Sequence, residues 1–440
     1  MLTYLASHAV VLVTVVAWLV MLSRISGSQR TPQSTFAWLL AFAFVPLLAI
    51  PLYLALGSRK FPARAKGRQL AIPPVRPGNS FELLTTGESA FARLIELIQG
   101  AKRSIDLTMF ILGDDETGRA AVGALAERAK HGVEVRVILD AVGSIRTHRG
   151  AARALREAGA QMRVFMPLRH SPIRGRSNLR SHRKIAIVDG HVVFAGGMNL
   201  ANEYMGPPLK DGTAPRWRDV VSVVRGPVAA DATALFESDW VFCGGSRRSG
   251  SEGRAATPIA ASGDARVQFV PIGPDMTTDT MYDLFLNGIF TARERVAIVT
   301  PYYVPDDALQ HALVLSARRG VKTELLIPAL SNHRVADLAR REFLRELSAN
   351  GALVHYYARG MVHAKAMVID DDFAYVGSPN FDMRSLFLNY EDAVCVYSPA
   401  AIAEVRGFID GLISECPSEP PVFPEHRVIE QIALLLAPEL

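Results

Sequence analysis

Two stretches of this chain carry the same residue types at the same spacing, and any fold it adopts must accommodate that duplication. The first reads His182-Arg-Lys184-Ile-Ala-Ile-Val-Asp189 and runs on through Gly196 and Gly197 to Asn199. The second reads His363-Ala-Lys365-Ala-Met-Val-Ile-Asp370 and runs on through Gly377 and Ser378 to Asn380. In each, the asparagine follows the histidine by 17 residues. The duplication extends upstream. Ser104 to Phe110, the acidic pair Asp114-Asp115, a helical run to Lys130 and an apolar run from Val133 are matched by Arg295 to Pro301, Asp306-Asp307, a second helical run and an apolar run from Val321. Both copies read strand, helix, strand, the pattern of a right-handed crossover in a parallel sheet.

At 440 residues the chain exceeds the length at which a single core stops growing. The expected fold class is therefore α/β, with two fused α/β/α halves at 81–243 and 266–416 related by a pseudo-twofold axis. Each half is expected to hold a further helix, at about 149–158 and 334–349. A linker rich in Gly, Ser, Ala and Arg joins them at 244–265. The C-terminal segment 417–440 combines a Pro-rich stretch with an amphipathic helix, on which Val428, Ile429, Ile432, Leu435 and Leu436 line one face. That face is expected to pack on the domain, the other reading being that it lies on a membrane.

Side chains alternate along a strand, so His182 and Lys184 face the same way, as do His363 and Lys365. Asp189 has the opposite parity and opens Asp189-Gly190, a good hairpin turn before Val192 to Ala195. Asp370 takes the same place. Both aspartates are expected to shape and support the site while the histidines and lysines face substrate. A lysine between the candidate ligands would repel a cation, so neither metal nor cofactor is expected. Two histidines and two lysines suit a phosphate instead. The ammonium groups of Lys184 and Lys365 and the amides of Asn199 and Asn380 can hold its non-bridging oxygens as a pentacoordinate transition state forms.

One histidine, neutral, can attack phosphorus while the other, protonated, gives its proton to the departing alkoxide. Identical residues need different surroundings for this. The repeat offers two orienting carboxylates, Asp219 and Glu391, each eight residues before a proline, Pro227 or Pro399. The plainer alternative is that both are solvated charges at strand ends. None of the other histidines, among them His148, His170 and His191, is repeated between the halves.

The N-terminal region has a different composition. Tyr4 to Leu22 and Phe36 to Leu56 contain no charged residue, and each is long enough to cross a bilayer as a helix. Residues 1–58 are expected to form a transmembrane hairpin with spans at about 4–22 and 36–56, the second kinked at Pro46 and Pro51. A cleaved signal peptide lacks support, because no basic n-region precedes the first run. Arg59, Lys60, Arg64, Lys66 and Arg68 form a basic juxtamembrane linker within 59–80, denser in cations than the loop bearing Arg24 and Arg30, which places the catalytic part on the cytoplasmic side. Eight of the 48 basic residues, and none of the 43 acidic ones, precede Glu82, so the rest of the chain is slightly acidic despite a net charge of +5. That speaks against a domain that binds nucleic acid through a general basic bias. The three cysteines, Cys243, Cys395 and Cys416, are too far apart for a zinc or disulfide framework.

The paired His-x-Lys-x4-Asp motifs resemble those of the phospholipase D superfamily. Leu179 to Ile185, Gly196 to Tyr204, Thr300 to Asp306 and Asn380 to Glu391 resemble bacterial cardiolipin synthases in particular, and the similarity runs nearly end to end. The resemblance implies transfer of a phosphatidyl group from one phosphatidylglycerol to the glycerol headgroup of another, without metal or nucleotide, at the bacterial inner membrane. Carried onto this chain, it marks His182, Lys184, Asp189, His363, Lys365 and Asp370 as catalytic, with His182 the nucleophile and His363 the acid and then the base. Ser378 gains a phosphate contact that Gly197 lacks. Two rival activities are a lipid hydrolase that uses water as acceptor and a membrane-tethered nuclease of the same superfamily.

Overall fold

A computed structural model of the chain describes residues 15, 19, 32–45, 48–50, 53, 72–167, 179–206, 216–248, 259–276, 278–419, 421, 423–424 and 426–436. Most of the first apolar stretch, a third of the second, the basic cluster from Arg59 to Arg68, His170, the middle of the linker and the last four residues fall outside these. Among the described residues no helix is long and apolar enough to cross a membrane. The described part of the second apolar stretch includes the helix Pro32–Phe44, with Phe42 packed against Trp38 and Tyr53.

The first copy contributes β1 (Arg76–Leu84), β2 (Ser104–Met109), β3 (Glu134–Asp140), β4 (Gln161–Phe165), β5 (Ile185–Val188), β6 (Val192–Gly196) and β7 (Val221–Arg225). The second contributes β8 (Ala265–Ile272), β9 (Arg295–Val299), β10 (Tyr303–Val304), β11 (Lys322–Pro328), β12 (Leu353–Tyr357), β13 (Ala366–Ile369), β14 (Phe373–Gly377), β15 (Phe381–Asp382) and β16 (Glu391–Val396). Among the described residues fourteen strands form one sheet in the order β12-β11-β9-β13-β14-β16-β8-β1-β7-β6-β5-β2-β3-β4, while β10 and β15 pair separately. From the centre outward the two halves of this order correspond strand for strand, and β1 pairs antiparallel with β8 to join them. The first half thus starts at Arg76, ahead of the expected 81, because Arg76 pairs with Val267 and its guanidinium binds Asp231.

The expected crossovers are present. β2 runs parallel to β3 across the helix Glu116–Lys130, and β9 runs parallel to β11 across the helix Asp307–Arg318. The acidic pairs start these helices, since Asp115 accepts the Gly118 N–H and Asp306 accepts the Leu309 N–H. The further helices span His148–Glu157 and Arg334–Ala349.

Strand alternation sorts the core into layers. On β5, Ile185 and Ile187 face a core shared by both halves, which the helices Ala229–Phe242 and Pro399–Ser414 cover. Ala186 and Val188 face the other side, a core belonging to the first half alone. The second half has its own counterpart there. The shared core on one face is what makes the halves a single body.

Asp189 and Asp370 occupy left-handed turns, at φ 52° and 47°. The Asp189 carboxylate accepts the N–H groups of Lys102, Arg103 and Ser104 at 2.7–3.2 Å, and Asp370 accepts those of Arg293, Glu294 and Arg295 at 2.8–2.9 Å. Each therefore tethers the start of the neighbouring motif strand's partner, β2 or β9. Burial alone would raise both carboxyls, but the three N–H donors bring each below its ordinary range. Asp189→Ala is expected to lower stability by about 2 kcal/mol through lost N–H acceptors and a strained positive φ. Asp189→Asn, which tolerates that φ and keeps one acceptor, should lose less. Thermal unfolding of the two purified variants measures the difference.

Candidate active site

Two isolated backbone bridges bring the motifs together. Ser181 pairs in parallel with Tyr390, and Arg218 pairs in parallel with Val362. Each bridge joins the run leading into one motif histidine to the residue just before the other half's carboxylate. The His182 N–H donates to the Tyr390 carbonyl at 2.8 Å, and the His363 N–H donates to the Arg218 carbonyl at 2.7 Å.

The consequence is an exchange of partners. His182 Nδ1 lies 3.0 Å from Glu391 Oε2, and His363 Nδ1 lies 2.7 Å from Asp219 Oδ2. Asp219 and Glu391 were expected as one carboxylate per half; the structure places each beside the opposite half's histidine. Both are fully buried rather than solvated at strand ends. With Nδ1 of each ring held by a carboxylate, the other nitrogen, Nε2, lies 3.1 Å from Lys365 Nζ in His363.

The lysines sit with the histidines, as the shared strand face requires. Lys184 Nζ donates to the His182 carbonyl at 2.6 Å, while Lys365 Nζ donates to the His363 carbonyl and lies 3.1 Å from His363 Nε2. Burial in this cationic cluster shifts every group. It pushes Lys184 down to about 8 and Lys365 down to about 7. Burial and Lys365 depress His363 to about 3, and burial with Lys184 and Lys365 takes His182 well below its usual value. The carboxylates diverge. Burial lifts Glu391 to about 7, whereas Lys365 and His363 outweigh burial at Asp219 and hold it ionised.

The departure at Gly197, where the second motif has Ser378, has a steric cause. A Cβ on Gly197 would stand 2.1 Å from Asp219 Oδ1, so the short Asp219 side chain occupies the room that a serine would need. In the other half Ser378 fits beside the longer Glu391, and its hydroxyl accepts the Asp392 N–H at 3.0 Å. The preceding glycines are required in both copies, because a Cβ on Gly196 or Gly377 would stand 2.5 Å from the Val220 or Asp392 carbonyl oxygen. The asparagines hold the adjoining loops. Asn199 Oδ1 accepts the Ile111 N–H at 3.0 Å, and Asn380 Nδ2 donates to the Ser385 hydroxyl at 3.1 Å.

Asp189 and Asp370 stand apart from this cluster, at the far ends of β5 and β13 from the histidines. Seven residues of extended chain separate each from its histidine, about 20 Å. His191 lies at that far turn, and His148 starts a helix.

Several neighbours carry no signal in the repeat. Phe110 meets the His182 ring edge-on at 4.8 Å, and Tyr204, Trp217 and Tyr302 surround His363 at 5.0, 5.3 and 6.4 Å. They form a partly apolar wall around the two rings. Arg183, the variable residue of the first motif, is buried and clamps the halves. It donates to the Glu391 and Ile272 carbonyls at 3.0 and 2.9 Å and binds Asp239. Its counterpart is Ala364, so alignment of the copies gives no hint of that role. Among the described residues no group of three or more His, Cys, Asp or Glu side chains could hold a metal ion.

The family described as "Cardiolipin synthase, PLD-like domain" matches residues 94–240 and 285–413, the two halves in turn. The chain belongs to this cardiolipin synthase family of phospholipase D-like proteins. A second family, "Phospholipase D-nuclease N-terminal", matches residues 12–58. The cardiolipin synthase of Geobacillus thermodenitrificans is 30% identical over 458 aligned positions, covering 94% of this chain and 91% of that protein. The cardiolipin synthase 2 of Bacillus anthracis is 34% identical over 364, covering 81% and 70%. A solved phosphatidylserine synthase from Haemophilus influenzae shares the fold with a TM-score of 0.60 at 14% identity, covering 82% of this chain and 95% of that one.

Lys365 and Lys184 lose their charge as pH rises through about 7 and 8. A soluble phosphodiester such as glycerophosphoglycerol keeps its single negative charge over this range. Its affinity, measured by calorimetry, is expected to fall at least ~10-fold between about pH 6 and pH 9. Lys365→Met should weaken binding at the lower pH and flatten the dependence.

Proposed function

We propose that this chain is a membrane-associated phosphatidyltransferase that makes cardiolipin and glycerol from two molecules of phosphatidylglycerol through a phospho-histidine. The observation that carries the reading is the crossed arrangement of two histidines, each held at Nδ1 by a buried carboxylate, with two buried lysines beside them. Such a site suits one phosphodiester replacing another, which needs no energy source. The neutral-to-acidic body and the family of its relatives favour lipid over nucleic acid as substrate.

In the first step His182 Nε2 attacks phosphorus, the bond from phosphorus to the headgroup glycerol oxygen breaks, and His363 gives that oxygen its proton. Glycerol leaves. In the second step His363 takes the proton from a headgroup hydroxyl of another phosphatidylglycerol, its oxygen attacks phosphorus, and the bond to His182 breaks. The two surroundings support this division. Ionised Asp219 stabilises a protonated His363, the acid, while Glu391, which burial lifts to about 7, carries less negative charge beside His182 and so favours its uncharged form for attack. The phosphate's negative charge between Lys184 and Lys365 offsets the repulsion that otherwise keeps both rings neutral.

Asn199, Asn380 and Ser378 hold the loops around the phosphate and contact its non-bridging oxygens through their amide and hydroxyl groups. Asp189 and Asp370 act at a distance by fixing the motif strands. The apolar segments within 1–58 anchor the enzyme as a hairpin in the inner membrane, and the basic residues from Arg59 to Arg68 keep the site on the cytoplasmic side.

Purified protein in vesicles of phosphatidylglycerol is expected to yield cardiolipin and glycerol in equal amounts, read by mass spectrometry with isotope-labelled headgroups. His182→Ala and His363→Ala should each lose at least ~1000-fold. Phosphatidic acid as the main product would make the enzyme a hydrolase, and a requirement for added divalent metal would exclude the mechanism.

A further inference from the structure

The helix Arg427–Leu436 rests on the body with Val428, Ile429 and Ile432 outward. It turns inward Glu430 and Ala433, 2% and 4% exposed. Glu430 binds Arg341 at 3.1 Å and Arg345 at 2.7 Å, and Ala433 joins a small cluster with Val304 and Ala339. Val428, Ile429 and Ile432 point away, at 75%, 52% and 54% exposure. These three members of the apolar stripe do not pack on the domain as expected, while the side chains of Leu435 and Leu436 lie outside the described ones. An ion pair that faces the body while the apolar face meets solvent is the reverse of ordinary helix docking, and it marks a surface meant to be covered.

Three observations say by what. The helix lies at the same end of the sheet as the reactive histidines. It rests on Val304 and on the helix Arg334–Ala349, which His333 caps; the His333 ring meets Tyr302 at 6.2 Å, and Tyr302 meets His363 at 6.4 Å. Further apolar side chains emerge at that end, Leu330 in the loop after β11 and Val142 and Ile145 in the matching loop after β3, at 71%, 43% and 50% exposure. Exposed cations accompany them: Arg427 and Arg334 in the second half, Arg146 and Arg149 in the first. Apolar residues among cations fit the headgroup layer of an anionic bilayer.

We propose that the C-terminal helix is an interfacial anchor. Val428, Ile429 and Ile432 insert into an anionic bilayer, and the Glu430 pairs with Arg341 and Arg345 fix the helix so that the mouth of the site faces lipid. This rests on the reading that bilayer lipid is the substrate.

The test uses the full chain reconstituted into phosphatidylglycerol vesicles containing brominated lipid, in a Cys243→Ser and Cys416→Ser background that leaves only the buried Cys395. Ile429→Cys, Ile432→Cys and Lys130→Cys are each labelled with an environment-sensitive fluorophore, Lys130 lying at the opposite end of the sheet. Labels at 429 and 432 are expected to shift to the blue and be quenched by the brominated chains, while the label at 130 is not. Unquenched labels at 429 and 432 overturn the proposal whatever turnover does. A blue shift that is already present in detergent and vanishes on dilution also overturns it, in favour of contact between two copies. An Ile429→Glu/Ile432→Glu chain should make cardiolipin from vesicles at least ~10-fold more slowly and keep its rate on detergent-dispersed lipid within about twofold. Quenching is read without turnover, so a failure of the proposed reaction leaves this result distinct.

Discussion

The site depends on two short backbone bridges, Ser181 to Tyr390 and Arg218 to Val362. Each fixes the chain on both sides of a histidine and carboxylate pair, so ring and carboxylate meet without either side chain having to search. Because the bridges cross between halves, neither half contains a complete pair. A single copy would hold a histidine without its carboxylate, and a carboxylate buried without its cation. The shared core beneath the helices Ala229–Phe242 and Pro399–Ser414, the β1–β8 pairing and the Arg183 clamp all keep that crossing in register.

The arrangement is costly before substrate arrives. Lys184, Lys365, Asp219, Glu391 and Asp392 are all almost completely buried, and water has been exchanged for a few fixed partners. The cost shows in the direction of most shifts, lysines toward neutral, histidines neutral, Glu391 and Asp392 toward protonated, with Asp219 alone among these groups held ionised. A phosphodiester supplies the negative charge that the two ammonium groups lack, and does so in a site already desolvated. Electrostatic stabilisation of this preorganised kind is commonly the largest contribution to catalysis. The asymmetry between Asp219 and Glu391 follows from one methylene and one steric choice. The shorter acid reaches back over Gly197, and the longer one leaves room for Ser378.

Much of the fold was legible because it rests on local rules. Alternation on β5 separates Ile185 and Ile187 from Ala186 and Val188, and the acidic pairs cap the crossover helices. The Asp189-Gly190 pair and its counterpart at Asp370 placed both aspartates in turns, where the structure has them at positive φ. The Asp114-Asp115 and Asp306-Asp307 pairs needed no tertiary information. Less was legible where residues act only through distant neighbours. Phe110, Tyr204, Trp217 and Tyr302 are ordinary aromatics until the fold sets them around the two rings, and Arg183 is unmatched in the other copy. The terminal helix shows the same limit, since its stripe was visible in its periodicity while its orientation was not.

The sequence by itself determined that the chain is double, that each copy is a strand-helix-strand unit, and that each copy brings a histidine and a lysine to one strand face. Those conclusions follow from spacing, because the period of a strand and the reach of a crossover are properties of the backbone. Only the tertiary structure decided which carboxylate serves which histidine, why one motif has Gly197 where the other has Ser378, and which way the last helix faces. Each of these depends on a contact between segments far apart in sequence, with Asp219 and His363 144 residues apart and Glu430 and Arg345 85 apart. Such contacts are chosen by the packing of the whole sheet, which no local pattern encodes.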